Sequence, residues 1–529
     1  MEETRAALGF VSTTAGATVT ATLDPGAAAG LRLGDMVRIE TGKSLCFGLV
    51  NRLWWENAAF PPSETGRSLA EAVLLGETLD VDRPDAFTFQ RGVSISPPLG
   101  APVFAASGGD LRLIYAMPAS PSVRVGSLHQ DPGIDARVLV DELLGKHFSV
   151  LGTTGSGKSC AVAVILKAVL AAHTHGHIVL LDPHDEYAAA FGDMALSVTP
   201  ADLHLPYWLL DFEEMTHVLC SEGQPYREVE ANILKEAVLT AKHEFITTSG
   251  GEDFNLTIDT PTPFRLLRVV ELLKVGMGRL DKPESSIPYL RLLNRIDSLR
   301  RDRRFAFMFG GLSVEDSMAE ILSRLLRLPP QGRPLTVINL AGVPAEIVDV
   351  VVSVLCRLIF DFALWSRRGE GAPVLLVCEE AHRYVPRDRT LGFAPTRRAV
   401  ARIAKEGRKY GVSLGLVTQR PSEISESILS QTNTLFSMRM SNEADQRFVT
   451  MAMPENAAGL LSVLPSLRAR EAVVVGEGVA VPMRFRFEDL AEAARPRSDT
   501  AKFSQAWSDE AAGAGAVPDT IHRWRRQIR

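Results

Sequence analysis

Cysteine is scarce in this sequence, and no two cysteines are spaced as a metal-binding or redox pair. The chain contains five cysteines in 529 residues, an odd number without any CxxC spacing. Zinc sites and disulfide frameworks depend on closely spaced or paired cysteines. We therefore expect reduced thiols, which are typical of a cytoplasmic protein, and neither a zinc site nor a disulfide.

The sequence also lacks a long hydrophobic run and a secretory signal. Of its two most apolar stretches, Ala161–Ala172 is too short to cross a bilayer. The other, Ile347–Trp365, contains Asp349, Arg357 and Asp361. Residues 1 to 20 show no basic region followed by an apolar one. We expect both apolar stretches to be buried helices of a cytoplasmic protein that has no membrane partner.

A strongly basic composition is absent as well. The formal net charge is -6, which excludes a generally basic surface for nucleic acid. Any contact with DNA must then come from a local basic patch, or from a ring of such patches in an oligomer.

Turn residues and hydrophobic patterns divide the chain into successive parts. Residues 1–145 combine short strand-like runs with frequent Gly, Pro and Asp turns, which predicts a small β-barrel. Residues 146–204 and 331–488 alternate strand-like and helix-like segments, as in a parallel sheet covered by helices. Residues 205–330 have helical periodicity and form a predicted helical insertion, and residues 489–529 form a tail with a basic end. The predicted fold class is α/β.

Individual strands are predicted from short apolar runs between turn signals. In the first part they are Thr18–Leu23, Asp35–Ile39, Leu45–Val50 and Leu111–Tyr115. In the α/β part they are His147–Leu151, Ile178–Asp182, Leu335–Leu340, Val374–Cys378, Val412–Thr418 and Thr434–Met440.

A phosphate-binding loop follows the first strand of the α/β part. The pattern G-x-x-x-x-G-K-[ST] is matched by Gly152, Thr153, Thr154, Gly155, Ser156, Gly157, Lys158 and Ser159, and Cys160 continues into the next helix. The glycines let successive backbone N–H groups point at phosphate oxygens, and the helix N-terminus adds partial positive charge. We expect Lys158 to bind the β- and γ-phosphates of ATP, and the Ser159 hydroxyl to ligate Mg²⁺.

A P-loop also needs an acidic site at a strand end, and two strands compete for that role. The strand Val374–Cys378 is followed by two adjacent acids, Glu379 and Glu380. The strand Ile178–Asp182 ends in a single acid, which a proline follows. Because hydrolysis needs one carboxylate for the metal and one for the attacking water, we assign Glu379 to Mg²⁺ and Glu380 to the general base.

Two further polar groups are candidates for the same site. Gln419 follows the strand Val412–Thr418 and is placed to contact the γ-phosphate or the attacking water. Several arginines lie between the acidic strand and this one: Arg383, Arg387, Arg389, Arg397, Arg398, Arg402 and Arg408. Ring ATPases complete their site with an arginine from a neighbouring subunit, and Arg408 is our first choice, with Arg439 as the alternative.

Six motifs in order resemble those of the HerA group of hexameric ATPases, which are related to the FtsK-like DNA translocases. They read HFSVLGTTGSGKS, LLDPHDEY, VINLAGVP, EEAHRYVP, AKEGRKYG and LVTQRPSEI, and the resemblance runs from about Val125 to Met440. Many P-loop motors have aspartate where Glu379 stands, so the two roles of Glu379 and Glu380 remain open to exchange.

The resemblance implies a homo-hexameric ring around double-stranded DNA, built from a β-barrel, a RecA-like core, a helical insertion and a C-terminal brace. It also implies a partner protein, either a nuclease such as NurA or an effector of anti-phage defence. The leading functional hypothesis is an ATP-driven DNA translocase or helicase-type motor. The alternatives are a ring scaffold that ATP regulates and that assembles an effector, and a peripheral conjugation or secretion ATPase.

Overall fold

The structure of the chain is a computed structural model. It describes residues 6–24, 26, 30–42, 44–56, 67–79, 88–221, 225–250, 255–279, 283–310, 314–367, 371–452, 458–497, 503–508 and 516–526.

Seven N-terminal strands form an antiparallel sheet that closes on itself. They are β1 (Gly9–Ala15), β2 (Thr18–Leu23), β3 (Met36–Glu40), β4 (Ser44–Glu56), β5 (Arg67–Leu79), β6 (Phe89–Arg91) and β7 (Pro102–Ala105). Their order is β2-β1-β7-β3-β4-β5-β6, and β2 also pairs with β5, so six strands make a closed barrel and β6 lies outside it. Alternate residues of β2, such as Val19 and Ala21, face the apolar interior. The predicted N-terminal β-barrel is confirmed.

The chain leaves the barrel earlier than the sequence predicts. After β7 come α1 (Gly108–Ile114), β8 (Ser122–Leu128), β9 (Asp135–Leu139) and α2 (Val140–Gly145). The strand predicted at Leu111–Tyr115 is wrong, because Ser107 and Asp110 cap each other's backbone N–H groups and start a helix there. The boundary at residue 145 also needs correction, since β8 and β9 pair with the large sheet and not with the barrel.

The second sheet has eleven strands and contains the predicted α/β core. Besides β8 and β9 they are β10 (Phe148–Leu151), β11 (Ile178–Asp182), β12 (Ala195–Val198), β13 (Leu335–Asn339), β14 (Val374–Cys378), β15 (Val412–Thr418), β16 (Thr434–Met438), β17 (Glu471–Gly476) and β18 (Met483–Phe487). The order is β12-β13-β11-β14-β15-β10-β16-β17-β18-β8-β9. The strands from β12 to β16 are parallel and the remaining four are antiparallel. All six predicted core strands are present, and three have their predicted ends.

Helices cover this sheet. Those of the core are α3 (Lys158–Ala172), α4 (Ala188–Phe191), α5 (Pro200–Leu203), α12 (Ala345–Trp365), α13 (Ala394–Tyr410), α14 (Glu426–Leu429), α15 (Glu443–Met451) and α16 (Ala458–Leu461). The two apolar stretches of the sequence are α3 and α12, and most of their side chains are buried. In the described part of the chain, no helix is both long and apolar enough to span a membrane.

The described part of the interval 205–330 contains helices joined by loops, and no strand. It contains α6 (Phe212–Leu219), α7 (Arg227–Thr248), α8 (Leu266–Gly278), α9 (Ile287–Arg301), α10 (Ala306–Phe309) and α11 (Met318–Leu326). A buried ion pair ties it to the core, since Arg357 on α12 lies 2.9 Å from Glu214 and 3.3 Å from Asp211. Ser353 donates a further hydrogen bond of 2.7 Å to Glu214. The insertion is therefore fixed to the helix that packs against the sheet.

The tail contains α17 (Phe503–Ala506) and α18 (Ala516–Arg526). Residues 498–502, 509–515 and 527–529 of the predicted tail lie outside the described residues. The segment 489–497 returns to the core, where the Arg497 N–H donates to the Glu186 carbonyl at 2.9 Å.

Candidate active site

Five neighbouring strands bring the candidate residues to one edge of the sheet. In the order β11-β14-β15-β10-β16, the carboxyl ends carry Asp182, Glu379, Gln419, the P-loop and Arg439. Parallel strands end at the same edge, and ligands of such sheets bind there. Residues far apart in sequence are adjacent for this reason alone.

Backbone dihedral angles favour glycine at two positions of the loop between β10 and α3. Gly155 and Gly157 have φ angles of 75° and 99°, which residues with a Cβ rarely adopt. A Cβ on Gly157 would also lie 3.1 Å from Cγ of Arg470. The glycines therefore let the loop take a left-handed turn, of the kind that points backbone N–H groups toward an anion.

Neighbouring strands hold this loop in place. The backbone N–H and the hydroxyl of Thr153 both donate to the Arg439 carbonyl, at 2.9 and 3.0 Å. The N–H of Gly152 donates to the Thr418 carbonyl at 3.3 Å. The Ser156 hydroxyl is buried and has no hydrogen-bond partner among the described residues. The loop is preformed, and it keeps a buried polar group available to a ligand.

Lys158 is turned back onto its own loop. Its Nζ donates to the Thr153 carbonyl at 3.2 Å, and only 8% of the residue is exposed. Burial lowers the pKa of the amine, while the carboxylates of Glu379, Glu380 and Glu186 act to raise it. The lysine is thus buried near three acids, where a phosphate would be a stronger partner than a carbonyl.

The hydroxyl of Ser159 binds an acid that the sequence analysis did not single out. Ser159 donates a hydrogen bond of 2.6 Å to Glu186, which lies on the loop after β11. The next residue, Tyr187, is buried and donates 2.6 Å to Oε2 of Glu379. Hydroxyl and carboxylate oxygens are the ligands that Mg²⁺ prefers, so the set formed by Ser159, Glu186 and Glu379 fits that ion.

Asp182, the single acid of the competing strand, shapes the same loop. Its two oxygens accept the backbone N–H groups of His184 at 3.2 Å and Tyr187 at 2.9 Å. Burial is the main influence on its pKa and raises it, although these hydrogen bonds act to lower it. The carboxylate is therefore occupied in positioning Glu186 and Tyr187 beside the P-loop.

Glu379 is a buried acid whose proton affinity is strongly changed by its surroundings. The residue is 4% exposed, and burial raises the pKa of its carboxyl to about 8. The Tyr187 hydrogen bond and the charge of Lys158 lower this pKa, and the charges of Glu380 and Glu186 raise it. Burial therefore favours the neutral, protonated form of this carboxyl when no cation is bound.

Glu380 is linked to the P-loop through Gln419. Gln419 Nε2 donates to Glu380 Oε1 at 3.1 Å, and its amide oxygen accepts the hydroxyl proton of Thr154. His382 Nδ1 lies 3.2 Å from Glu380 Oε2 without hydrogen-bond geometry, because it pairs with the Thr418 hydroxyl at 3.0 Å. The Oε2 oxygen is buried and has no hydrogen-bond partner among the described residues. The Glu380 carboxylate is thus held through one oxygen, and its other oxygen keeps an unused acceptor beside His382.

The two candidate arginines lie at opposite edges of the sheet. The Arg439 carbonyl supports Thr153 of the same chain, so Arg439 belongs to its own P-loop. Arg408 lies near the end of α13, just before β15 begins, and its charge acts on His147 at the start of β10. Its side chain is exposed and has no hydrogen bond or ion pair among the described residues. Arg408 is therefore remote from the P-loop of its own chain.

The other arginines of this region differ in their ion pairs, ring contacts and hydrogen bonds. Arg398 pairs with Glu213 at 2.6 Å, and Arg402 stacks on the Phe360 ring. The Arg397 guanidinium donates to two loop carbonyls. Arg387 and Arg389 are exposed on the loop between β14 and α13, which lies beside Glu380.

Three residues of this site were not predicted from the sequence. Glu186 and Tyr187 lie in the segment LLDPHDEY. Because a proline follows Asp182 there, the acidic site was assigned to Glu379 and Glu380 and not to this loop. Arg470 lies far from every motif, and only the fold brings it to Gly157.

Comparison with known proteins gives a consistent result. The family model described as "Helicase HerA, central domain" matches residues 123–359. A DNA double-strand break repair helicase HerA from Pyrococcus furiosus is 27% identical over 428 residues, which cover 74% of each chain. The protein of the same name from Sulfolobus acidocaldarius is 26% identical over 398 residues, or 73% of each chain. A solved structure of VirB4 from Thermoanaerobacter pseudethanolicus aligns with a TM-score of 0.50 and 15% identity, over 72% of this chain and 99% of that one. This last likeness concerns the fold alone.

Proposed function

From the premise that this chain belongs to the HerA family of P-loop ATPases, we propose that it is an ATP-driven motor that moves double-stranded DNA. The observation that carries the ATP-hydrolysing part is the link from Thr154 through Gln419 to Glu380. It joins the phosphate-binding loop to the acid that would activate water. The DNA-moving part is supported by the relatives, which are named as DNA repair helicases.

The residues divide the work of hydrolysis between binding and proton transfer. The loop amides from Gly155 to Cys160 and the Lys158 ammonium would bind the phosphates. Ser159 and Glu379 would hold Mg²⁺, and Glu186 is a further oxygen ligand within reach of Ser159. Bound Mg²⁺ would neutralise charge on the phosphate oxygens.

Glu380 would accept the proton of the attacking water. Oε2 is buried and accepts no hydrogen bond among the described residues, and Oε1 is fixed by Gln419. The carboxylate is therefore held in one orientation. Because Gln419 also contacts Thr154, a change at the phosphates would reach Glu380 through one side chain. In this way Gln419 would report the state of the nucleotide.

A complete site would need a second subunit. Arg408 is exposed at the amino edge of the sheet, where it is available to a neighbour. We therefore propose a homo-hexameric ring in which Arg408 of one subunit completes the site of the next. Within this proposal the ring serves a nuclease, or another effector protein, in DNA end processing or in anti-phage defence.

The test compares a motor with a scaffold that only binds ATP. ATP turnover is measured with and without linear duplex DNA at several salt concentrations, and translocation is followed by displacement of a third strand from a DNA triplex. A motor shows DNA-stimulated turnover and ATP-dependent displacement, both of which weaken with salt. Turnover that duplex DNA does not change, without displacement, would favour the scaffold.

A further inference from the structure

A turn from the C-terminal part of the chain is fastened to the back of the P-loop. Arg470, just before β17, donates its backbone N–H to the Ser156 carbonyl at 2.9 Å. Its own carbonyl accepts the N–H of Phe487 at 2.9 Å, so the residue is held from both sides. Arg470 has a φ of 68°, a left-handed conformation that costs free energy in a residue with a side chain. The fold thus maintains an arginine at this point in an unfavourable backbone geometry.

The strained backbone directs the side chain across the P-loop. Cγ of Arg470 lies so close to Gly157 that a Cβ there would be 3.1 Å away. Burial raises the pKa of the Cys160 thiol, and the charges of Arg470 and Arg495 act to lower it. Two guanidinium groups therefore lie near the first turn of α3, which is the turn that faces the phosphates in a P-loop.

In this structure the Arg470 guanidinium is paired with Asp489. That pair is not deeply buried, because 30% of the arginine side chain and 57% of the aspartate side chain are exposed. Arg486 on β18 is a second partner for the same aspartate, at 3.6 Å. Exposed ion pairs contribute little, so Arg470 can exchange Asp489 for a stronger anion at small cost.

We propose that Arg470 is a nucleotide-binding residue of its own subunit, which exchanges its ion pair with Asp489 for the α-phosphate of bound ATP. The sheet order explains why that phosphate is the target. Gln419 and Glu380 approach the P-loop from the side of β15, whereas Arg470 approaches from the side of β16 and β17. The γ-phosphate would lie on the β15 side, next to the residues of hydrolysis. The α-phosphate, which is nearest the nucleoside, would then lie on the side of β16 and β17.

This inference rests on the proposed function, because it assumes that the P-loop binds ATP. The competing explanation is structural: Arg470 would brace the loop through its backbone alone, and its side chain would only pair with Asp489. The two explanations predict different effects of removing Asp489. A brace is weakened or unchanged by that loss, whereas a phosphate-binding arginine is released and binds the nucleotide more tightly.

The experiment measures binding by isothermal titration calorimetry with Mg²⁺ and two probes, the non-hydrolysable analogue AMP-PNP and inorganic triphosphate. The variants are Arg470→Ala, Asp489→Asn and the double variant, with Arg468→Ala as the matched control. Arg468 is an exposed arginine two positions away, and among the described residues its hydrogen bonds are with Glu471 and none is with the P-loop. Far-UV circular dichroism and thermal unfolding confirm that each variant is folded.

We expect Arg470→Ala to weaken both probes roughly tenfold or more, as for the loss of one charge-assisted hydrogen bond. Asp489→Asn should tighten both a few-fold, and Arg468→Ala should leave both unchanged. The double variant should stay as weak as Arg470→Ala. If the double variant instead regains the wild-type affinity, the loss came from an unpaired Asp489, and Arg470 does not touch the phosphate.

Two other outcomes also overturn the inference. Weakening of AMP-PNP alone would move the contact from the phosphate to the ribose or the base. Unchanged affinity in Arg470→Ala would reduce the residue to a brace. Lys158→Ala separates these results from a failure of the proposed function. If this variant binds both probes with the wild-type affinity, the P-loop assignment itself is overturned.

Discussion

The Tyr187 hydroxyl lies 2.6 Å from Glu379 Oε2 and covers the carboxylate that the sequence predicts as a metal ligand. The contact joins the loop after β11 to the end of β14, two neighbouring strands of the sheet. The phenol donates a hydrogen bond to a buried carboxyl whose pKa is raised to about 8. A cation that binds Glu379 therefore competes with a proton, and at Oε2 it also competes with the Tyr187 hydroxyl.

Glu379→Gln should stabilise the protein in a pH-dependent way when nucleotide and Mg²⁺ are absent. The folded carboxyl has a pKa of about 8 against an ordinary value of 4.5, so the unfolded chain binds fewer protons between these two values. Wild-type stability falls as pH rises through this window and levels off above about 8, whereas glutamine does not titrate. We expect a gain on the order of 1–4 kcal/mol at pH 8.5 and almost none near pH 4.5. Thermal unfolding at several pH values measures it, and a gain that does not change with pH would contradict the raised pKa.

Lys158→Ala should reduce the rate of ATP hydrolysis by roughly 100-fold or more. The removal of one preorganised group that stabilises transition-state charge lowers kcat by about this factor. Steady-state phosphate release measures the effect. Lys405→Ala is the control, since this lysine is exposed on α13. Turnover of Lys158→Ala at the wild-type rate would move the nucleotide site elsewhere.

Glu380→Gln should bind ATP and hydrolyse it slowly, by roughly 10²–10⁴-fold, since glutamine keeps the shape but cannot accept a proton. Rapid-quench measurement of bound ATP and ADP distinguishes trapped substrate from lost binding. In Glu379→Gln the expected defect is a weaker dependence on Mg²⁺. If the two phenotypes are exchanged between the variants, then so are the two roles.

Arg408→Ala should leave nucleotide binding nearly intact and lower hydrolysis by roughly 10³–10⁵-fold, the range reported for arginines supplied in trans. Mixed rings of Arg408→Ala and Lys158→Ala subunits should regain part of the activity, because some interfaces then pair an intact P-loop with an intact arginine. Lys409→Ala is the control for the loss of an exposed cation. Verified mixed rings that remain inactive would argue against a shared site with Arg408, and Arg439→Ala would then be examined in the same way.

Neutralising Arg387 and Arg389 together should weaken binding to duplex DNA and spare turnover without DNA. Each lost phosphate contact should lower the slope of log affinity against log salt by about 0.9. Fluorescence anisotropy with labelled duplexes of different sequence measures both quantities. Replacing Arg301 and Arg304 of the insertion removes the same charge elsewhere, and an equal loss in that control would indicate a general charge effect.

Much of the core was predictable, because its strands are continuous apolar runs and its P-loop is a contiguous motif. The strands at Ile178–Asp182, Val374–Cys378 and Val412–Thr418 have their predicted ends. Strands that are buried on both faces are almost continuously hydrophobic, so they can be recognised in the sequence. The site roles of these strands remain predictions that the variants above would test.

What could not be predicted depends on contacts between distant segments. Glu186 reaches Ser159 because Asp182 folds the intervening loop, and a carboxylate that binds backbone N–H groups looks in sequence like any other acid. The strands β8 and β9 were placed with the barrel because short strand-like runs separated by turn residues continue beyond residue 105. The helix α1 was missed because its first turn depends on one reciprocal cap.

The pairing of β8 with β18 has a consequence for how the chain is made. Leu128 lies opposite Phe485, so the large sheet joins a segment that precedes the P-loop to one near the end of the chain. The barrel contains only residues up to Ala105 and can close early in synthesis. The pairing of β8 with β18 can form only after residues more than 350 positions beyond β8 have been synthesised. Contacts of such long sequence separation form slowly. A subunit with a complete sheet should therefore appear only after translation has passed Phe487, and assembly of the proposed ring could begin no earlier.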